Sequence, residues 1–189
     1  MTAAAARVRL LCLDVDGVLT DGTILIDDAG RESKRFSVRD GLGIVLWRRL
    51  GFEVAVVTGR SGQVLRHRLE ELGVRHLYSG VGDKRTAFLS ACEAAGCSPA
   101  EAAFVGDDLP DLPALRACGY PVAVQDAAAP VRAVAAHVTA AVGGDGAVRE
   151  VVEHLLRAKD RWNDALAMFE DPALPAGGER SSDERPRSA

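Results

Sequence analysis

The sequence predicts an α/β protein built on a doubly wound, mostly parallel sheet of the three-layer, Rossmann-like kind. Two observations support this fold class: short apolar runs of strand-forming residues alternate with amphipathic helical patterns, and polar residues directly follow several of these runs. Strands that alternate with helices indicate βαβ units, whose strands pair in parallel. With 189 residues and a hydrophobic content of 48%, the chain suits one domain with a single core.

The predicted elements follow one another along the chain. Apolar runs typical of buried strands occupy Arg9–Leu13, Glu53–Val57, His76–Tyr78, Ala103–Val105, Pro121–Ala123 and His137–Thr139. Helical patterns occupy Gly43–Leu50, Gln63–Leu72, Lys84–Ala95, Asp111–Ala117, Pro130–Ala135 and Ala147–Ala158. The helices are therefore expected to cover both faces of the sheet.

One stretch interrupts the alternation and predicts a protruding β-hairpin. It comprises, in order, a strand at Thr23–Ile26, a turn at Asp27–Gly30 and a strand at Arg31–Val38. The Asp and Gly residues of the turn suit a hairpin connection. A two-stranded ribbon is barely stable alone in water, so Ile24, Ile26 and Phe36 need a surface to pack on. Either another subunit or the chain's own domain supplies that surface.

The globular domain is expected to span residues 7–160, and a tail over residues 170–189 is expected to be disordered. The tail is rich in Pro, Gly, Ser and charged residues and has few residues that could build a core. Trp162, Leu166 and Phe169 precede the tail, and they either extend the last helix or form a subunit contact.

Charge and composition argue against several classes of protein. A formal net charge of −4 argues against nucleic acid as a partner. No apolar run approaches the length of a membrane span, and the N-terminus lacks the sustained apolar stretch of a signal peptide. We therefore expect no membrane association and a cytoplasmic location. The four cysteines form no C-x-x-C pair and are interpreted as small buried residues.

Two carboxylates end the first predicted strand, and they are the most informative feature of the chain. Asp14 and Asp16 are separated by one residue and followed by Gly17. Alternate residues of an extended strand face the same side, so both carboxylates are expected together at the carboxyl end of the sheet, where such sheets bind ligands. Two close carboxylates repel each other unless a cation or a shared proton compensates. The pattern indicates a divalent metal and a polar substrate, with a solvated Asp-rich turn as the alternative.

Three further polar features occur where neighbouring elements meet this edge. They are Thr58-Gly59-Arg60 after the second strand, Gly106-Asp107-Asp108 with Asp111 after a later strand, and Lys84 at the start of a helix. The beginning of a helix favours an anionic group. Each feature alone has an ordinary interpretation as a helix-opening turn, a capping group or a solvated charge. Together they supply carboxylates, a hydroxyl and an ammonium in the order that a phosphoryl-transfer site uses.

The ordered set D-x-D-G-V-L-T (Asp14 to Thr20), T-G-R (Thr58 to Arg60), Lys84 and G-D-D-x-x-D (Gly106 to Asp111) resembles the haloacid dehalogenase-like phosphatases. The resemblance covers roughly residues 7–157. It implies a Rossmann-like sheet, Mg²⁺ as the cofactor and an aspartyl-phosphate intermediate.

The resemblance also implies a role for each aspartate. Asp14 corresponds to the nucleophile that attacks phosphorus. Asp16 corresponds to the general acid/base, which protonates the leaving alcohol and then activates water. The Asp14 carboxylate, the backbone carbonyl of Asp16 and Asp107 correspond to the Mg²⁺ ligands. Asp108 and Asp111 fit supporting or additional metal-site roles.

For substrate binding, the resemblance implies that Thr58 and Lys84 hold phosphate oxygens and balance developing charge. Related enzymes carry a separate cap domain inserted either between Asp14 and Thr58 or between Thr58 and Lys84. In this chain the hairpin, two helices and one short strand fill these intervals, so no cap domain is expected. The site should be open in a monomer or covered by a neighbouring subunit.

A narrower resemblance rests on the hairpin, on Phe36 to Gly43, on T-G-R and on G-G-x-G-A-V-R-E (Gly143 to Glu150). These segments resemble the capless 3-deoxy-D-manno-octulosonate 8-phosphate phosphatases. That family implies a homotetramer associated through its hairpins, and a small phosphorylated sugar-acid substrate of lipopolysaccharide precursor synthesis. Gly59 and Arg60 would then contact the substrate, because a guanidinium matches carboxylate geometry.

Three alternatives stay open on sequence alone. A nine-carbon keto-sugar acid phosphate is a second possible substrate, and a non-catalytic, phosphorylatable scaffold module is a different class of function. The aspartate at position 16 favours turnover over a lasting phosphoprotein. Arg39 and Asp40 are further substrate-binding candidates, with a structural ion pair beside Gly41 as the alternative.

Overall fold

A computed structural model describes residues 3–170 and confirms the predicted fold class. The central sheet has six parallel strands in the order β5-β4-β1-β6-β7-β8. Their bounds are β1 Leu10–Leu13, β4 Glu53–Thr58, β5 His76–Ser79, β6 Ala102–Gly106, β7 Tyr120–Ala123 and β8 His137–Val138. A separate antiparallel pair is formed by β2 Leu25–Ile26 and β3 Glu32–Ser33.

Eight α-helices surround the sheet within the described residues. They are α1 Ala3–Arg7, α2 Val38–Arg49, α3 Gln63–Glu71, α4 Lys84–Ala94, α5 Leu112–Leu115, α6 Ala129–Val134, α7 Ala147–Ala158 and α8 Trp162–Glu170. Helices α1 and α2 pack on α7, whereas α4 and α6 pack on α5. Strand β1 lies between these layers and is buried along its whole length, as expected for a central parallel strand.

The register of β1 explains why the predicted motifs converge. Leu13, the last residue of β1, pairs with Val56 of β4 on one side and with Val105 of β6 on the other. The residues that follow these three positions therefore emerge at the same edge of the sheet. Asp14 comes first after β1, and the loops after Thr58 and Gly106 flank it.

The hairpin is much shorter than its sequence pattern predicts. The expected strands at 23–26 and 31–38 are wrong in extent, because only two residues of each form the ladder. The chain instead enters α2 at Val38, where the Ser37 side chain accepts a hydrogen bond from the backbone N–H of Asp40 at 3.4 Å. Helix α2 therefore begins five residues earlier than predicted. Gly41 and Gly43 lower the helical propensity of its first turns and hid them from the sequence pattern.

The two ends of the described chain each form a helix that the sequence analysis did not assign. Helix α1 packs on α7 through the buried Ala5. Helix α8 is separate from α7, because Asp160 adopts a left-handed conformation with φ of 58° and turns the chain. The Trp162 ring lies 4.8 Å from the Arg157 guanidinium carbon. The tail predicted from residue 170 onward falls, apart from Glu170 itself, outside the described residues, and the domain limits stay predictions.

The described residues contain no cap domain. Between Asp14 and Thr58 the chain forms only the hairpin, α2 and β4, and between Thr58 and Lys84 it forms only α3 and β5. Within residues 3–170, no helix combines the length and the apolar character that crossing a bilayer requires.

Candidate active site

The carboxyl edge of the sheet holds a cavity of about 320 Å³. The structure brings the residues of the four predicted motifs to this one cavity, which is lined by Asp14, Asp16, Thr58, Gly59, Arg60, Lys84 and Asp107. Asp108 and Asp111 line it as well. The convergence follows from the strand order, because β4 and β6 are the two neighbours of β1.

Asp14 is a buried carboxylate with one cationic partner. Its backbone N–H donates to the Val105 carbonyl at 3.1 Å, which continues the β1–β6 ladder by one residue. Its Oδ1 lies 2.9 Å from Lys84 Nζ. Burial and the nearby Asp111 carboxylate raise the pKa of Asp14 to about 6, against the opposing effect of Lys84. A carboxylate whose pKa is raised in this way needs additional positive charge nearby to be fully ionised at neutral pH.

Lys84 reaches Asp14 because it is the first residue of α4. Asp83 precedes it and caps the helix, accepting hydrogen bonds from the backbone N–H groups of Arg85 and Thr86 at 2.9 and 3.3 Å. The Lys84 ammonium bridges Asp14 and Asp111, the latter at 2.6 Å. Burial alone would lower the pKa of Lys84, but these two carboxylates outweigh burial and raise it above the usual value.

Asp111 organises the loop after β6. Its Oδ2 accepts hydrogen bonds from the backbone N–H groups of Asp107 and Asp108 at 2.9 and 3.3 Å, while Oδ1 faces Lys84. Both oxygens of Asp111 are therefore occupied by donors. Asp108 begins the 3₁₀ turn Leu109–Asp111 as its N-terminal cap. The arrangement gives Asp111 a supporting role in holding Asp107 in place.

Asp107 has unsatisfied hydrogen-bonding capacity. Its Oδ1 is buried and has no hydrogen-bond partner among the described residues. Burial, together with the carboxylates of Asp111 and Asp14, raises the pKa of Asp107 to about 8. A buried carboxylate oxygen without a donor is costly, and a bound cation would remove that cost.

The residues present fit a divalent metal ion. Carboxylate oxygens of Asp14, Asp107 and Asp111 all lie within 4.8 Å of one another, and Lys84 is the cation that contacts two of them. Three carboxylates and one ammonium leave a formal excess of two negative charges, which one Mg²⁺ would balance. Oxygen ligands are what this hard ion prefers. Asp14 and Asp107 are better placed as ligands than Asp111, because Asp111 already accepts hydrogen bonds on both oxygens.

Thr58, Gly59 and Arg60 form the opposite wall of the cavity. Thr58 is buried at the end of β4, and its hydroxyl oxygen accepts a hydrogen bond from the backbone N–H of Arg60 at 3.2 Å. Val81 donates its backbone N–H to the Thr58 carbonyl at 3.2 Å, which ties this turn to the segment before α4. The half-exposed Arg60 guanidinium extends into the cavity.

The side chain of Asp16 contacts the hairpin. It forms an ion pair with Lys34 Nζ, and Arg60 Nε lies 3.6 Å from its Oδ2. Lys34 and Glu32 were not identified from the sequence. Their separation by one residue, on one face of β3 and its continuation, was the available signal.

Arg39 and Asp40 take structural roles and not the substrate-binding role considered for them. The Arg39 guanidinium pairs with the Asp145 carboxylate at 2.6 Å on the surface. The buried Asp40 carboxylate accepts hydrogen bonds from the backbone N–H groups of Gly146 and Arg149 at 3.1 and 2.9 Å. Asp40 thereby satisfies two donors at the beginning of α7.

Glycines allow two loops to approach the catalytic segment closely. Gly17 has a φ of 91°, and a Cβ atom there would lie 2.0 Å from Asp107 Oδ2. A Cβ atom at Gly143 would lie 1.8 Å from the Gly17 carbonyl oxygen. The loop before α7 therefore rests directly on the loop that carries Asp14 and Asp16.

The fold and this site define a haloacid dehalogenase-like hydrolase, and a model of that family matches residues 37–119. The 3-deoxy-D-manno-octulosonate 8-phosphate phosphatase KdsC of Yersinia pestis is 42% identical over 164 residues, which are 87% of this chain and 88% of that protein. The phosphatase of the same name from Escherichia coli K12 is 44% identical over 163 residues, 86% of this chain and 87% of that protein. The chain therefore belongs to the family of 3-deoxy-D-manno-octulosonate 8-phosphate phosphatases.

A solved structure agrees with this membership. The phosphatase of that name from Moraxella catarrhalis, crystallised in complex with magnesium, phosphate and KDO, superposes with a TM-score of 0.85 at 39% identity. The match covers 88% of this chain and 95% of that chain. The chain is accordingly a phosphoric monoester hydrolase, and magnesium is the cofactor that its carboxylate cluster fits.

Proposed function

We propose that this protein is a magnesium-dependent phosphatase that hydrolyses 3-deoxy-D-manno-octulosonate 8-phosphate through an aspartyl-phosphate on Asp14. The observation that carries the proposal is the pairing of Asp14 with Lys84 at 2.9 Å, beside the unsatisfied carboxylate of Asp107. This pairing presents a nucleophilic oxygen next to positive charge, at the bottom of a cavity large enough for a phosphorylated sugar acid.

In the first half of the reaction, an oxygen of Asp14 attacks phosphorus and the bond from phosphorus to the sugar oxygen breaks. Asp16 donates a proton to that leaving oxygen, so the alcohol departs neutral. Lys84 and Thr58 bind the phosphate oxygens and stabilise the charge that develops on them. Asp14, the Asp16 backbone carbonyl and Asp107 would hold the magnesium ion, whose positive charge would let an anionic nucleophile approach an anionic phosphate.

In the second half, Asp16 accepts a proton from water, and the resulting hydroxide attacks phosphorus. The bond between phosphorus and Asp14 breaks, inorganic phosphate leaves, and the Asp14 carboxylate is restored. Because Asp16 returns to its starting ionisation state, each cycle consumes one phosphate ester and one water molecule.

The substrate assignment is supported by the identity to the named phosphatases over nearly their whole length. Arg60 offers a guanidinium for the substrate carboxylate at the mouth of the cavity. The test measures phosphate release from the eight-carbon and the nine-carbon keto-sugar acid phosphates, with and without EDTA. We expect kcat/KM to be at least about tenfold higher for the eight-carbon substrate, a difference of about 1.4 kcal/mol. Equal rates, or a lasting phosphoprotein with no turnover, would contradict the assignment.

We further propose that the protein works as a homotetramer in the cytoplasm, in the synthesis of lipopolysaccharide precursors. The hairpin supports the assembly, because Ile24, Leu25 and Ile26 are all exposed and Ile26 reaches 62%. Light scattering of the full chain tests it. Ile26→Asp is expected to lower the molecular mass, whereas Leu166→Asp on α8 leaves it unchanged. A loss of mass in Leu166→Asp alone would assign the contact to α8.

A further inference from the structure

The hairpin contributes a lysine to the active site. Lys34 directly follows β3, and its side chain is only 5% exposed. Its ammonium pairs with Asp16 Oδ1 and lies 2.9 Å from Glu32 Oε1. Burial by itself would lower the pKa of Lys34, but its hydrogen bonds to these two carboxylates outweigh burial and raise the pKa above its usual value.

Arg60 closes the same network from the other wall of the cavity. Its Nη2 lies 3.3 Å from Glu32 Oε2, and its Nε lies 3.6 Å from Asp16 Oδ2. The negative charges of Asp16 and Glu32 are therefore balanced by the positive charges of Lys34 and Arg60. The two aspartates of the D-x-D pair have separate cationic partners, since Lys84 serves Asp14 and Lys34 serves Asp16.

The two oxygens of the Asp16 carboxylate are not equivalent. Oδ1 accepts a hydrogen bond from the Lys34 ammonium, whereas the nearest guanidinium nitrogen stays 3.6 Å from Oδ2. Glu32 holds Lys34 from the other side, so the ammonium is fixed before any substrate arrives. Oδ2 is thus the oxygen that is left to exchange a proton with a bound substrate.

We propose that Lys34 is a positioning residue, which anchors Asp16 by one oxygen and aims the other at the oxygen of the leaving alcohol. The inference rests on the proposed function, in which Asp16 is the general acid and base. Without this anchor the Asp16 side chain would sample several rotamers, and only a fraction of them would place a proton on the leaving oxygen.

The test compares two leaving groups on the same variants. A sugar alcohol must be protonated as it leaves, whereas p-nitrophenolate is a stable anion that leaves unaided. Lys34→Met keeps the length of the side chain and removes its charge. We expect kcat/KM, which reports the steps up to formation of the phosphoenzyme, to fall about 100-fold for the eight-carbon sugar acid phosphate and less than about threefold for p-nitrophenyl phosphate. Lys34→Arg should recover part of the loss.

Three controls separate this inference from the proposed function. Arg31→Met alters the same hairpin but removes only an exposed pair with Asp27, so both rates should stay at the wild-type level. Asp16→Asn must show the selective loss in kcat/KM itself; equal losses of kcat/KM on both substrates would overturn the acid assignment. If Asp16→Asn is selective and Lys34→Met is not, the positioning role is overturned.

A second variant keeps the test decisive if Lys34→Met does not fold. Glu32→Gln leaves Lys34 in place but weakens its second anchor, so we expect a smaller selective loss in kcat/KM for the sugar substrate. Unchanged kcat/KM in Glu32→Gln, together with a folded protein by circular dichroism, would contradict the proposal.

Discussion

Gly143 rests against the backbone of Gly17 so closely that a methyl group at position 143 would lie 1.8 Å from the Gly17 carbonyl oxygen. This contact joins the loop before α7 to the loop that carries Asp14 and Asp16. The backbone N–H of Gly143 also donates to Asp126 Oδ1 at 3.0 Å, which fixes the loop from its other side. The catalytic loop is therefore supported by a segment more than half the chain away.

Gly143→Ala tests this support. The new methyl group cannot be accommodated without moving backbone, so we expect a loss of about 1–3 kcal/mol in the free energy of unfolding and a lower kcat. Gly82→Ala is the matched control, because a Cβ atom there meets nothing within 4 Å, and it should change stability by less than about 0.5 kcal/mol. Urea denaturation of both variants measures the difference. Equal stability of the two would show that the loop adapts freely.

Asp14→Asn tests the nucleophile. The amide cannot form the phosphoenzyme, so turnover of the sugar acid phosphate should fall by at least about 10³-fold, which corresponds to about 4 kcal/mol in the activation barrier. The amide removes one charge from a crowded anionic cluster, so the folded state should survive. Phosphate release at saturating magnesium measures the effect, and the melting temperature serves as the control. Substantial remaining turnover in a folded variant would exclude Asp14 as the attacking group.

The raised pKa of Asp107 predicts that the metal-free protein loses stability as the pH rises. The pKa is about 8 in the folded state and close to 3.8 in the unfolded chain, so the folded state binds more protons between these values. Stability linked to this group is complete below about pH 4 and is lost as the pH rises toward about 8. In EDTA, the melting temperature should fall between pH 5 and pH 8.5. Solvent screening limits the loss to about 1–2 kcal/mol, or roughly 2–8 °C.

Asp107→Asn is the matched variant for that measurement. It lacks the titrating group, so its melting temperature in EDTA should depend less on pH, and at pH 8.5 it should exceed that of the wild type. Magnesium should raise the melting temperature of the wild type at pH 8 and have little effect on Asp107→Asn, because ligand binding stabilises only the state that binds it. A steep pH dependence retained in the variant would assign the effect to another group.

Asp40→Ala tests the cap of α7. The change leaves the backbone N–H groups of Gly146 and Arg149 buried without an acceptor, at an expected cost of about 1–3 kcal/mol in the free energy of unfolding. Asp145→Ala provides the comparison. Its carboxylate is 68% exposed and forms a surface ion pair with Arg39, so its loss should cost less than about 0.5 kcal/mol. If both variants lose the same free energy of unfolding, the Asp40 cap contributes no specific stabilisation to α7.

Much of this architecture was predictable because the buried strands carry an uninterrupted apolar signal. Helix α7 was predicted to the residue, and each of the six predicted strands of the main sheet lies within one residue of its observed bounds. The site was predictable for the same reason, since the motifs follow β1, β4 and β6, whose carboxyl ends lie side by side. Sequence order and parallel pairing together were sufficient to bring Asp14, Thr58 and Asp107 to one cavity.

The parts that were missed depend on contacts between segments that are distant in sequence. Lys34 reaches Asp16 across a sequence separation of 18 residues, and no local pattern encodes that contact. Asp40 was weighed as a substrate ligand because its partners, the N–H groups at the start of α7, are more than 100 residues away. Backbone N–H groups are present at nearly every residue, so such hydrogen bonds cannot be predicted from residue types.

The dependence of the catalytic loop on the segment at Gly143 has a consequence for how the protein is made. During synthesis the residues that carry the chemistry leave the ribosome before the loop and helix that lock them. A nascent chain that stops before α7 therefore holds Asp14 and Asp16 without their final geometry. We therefore expect a chain truncated before Gly143 to have little phosphatase activity.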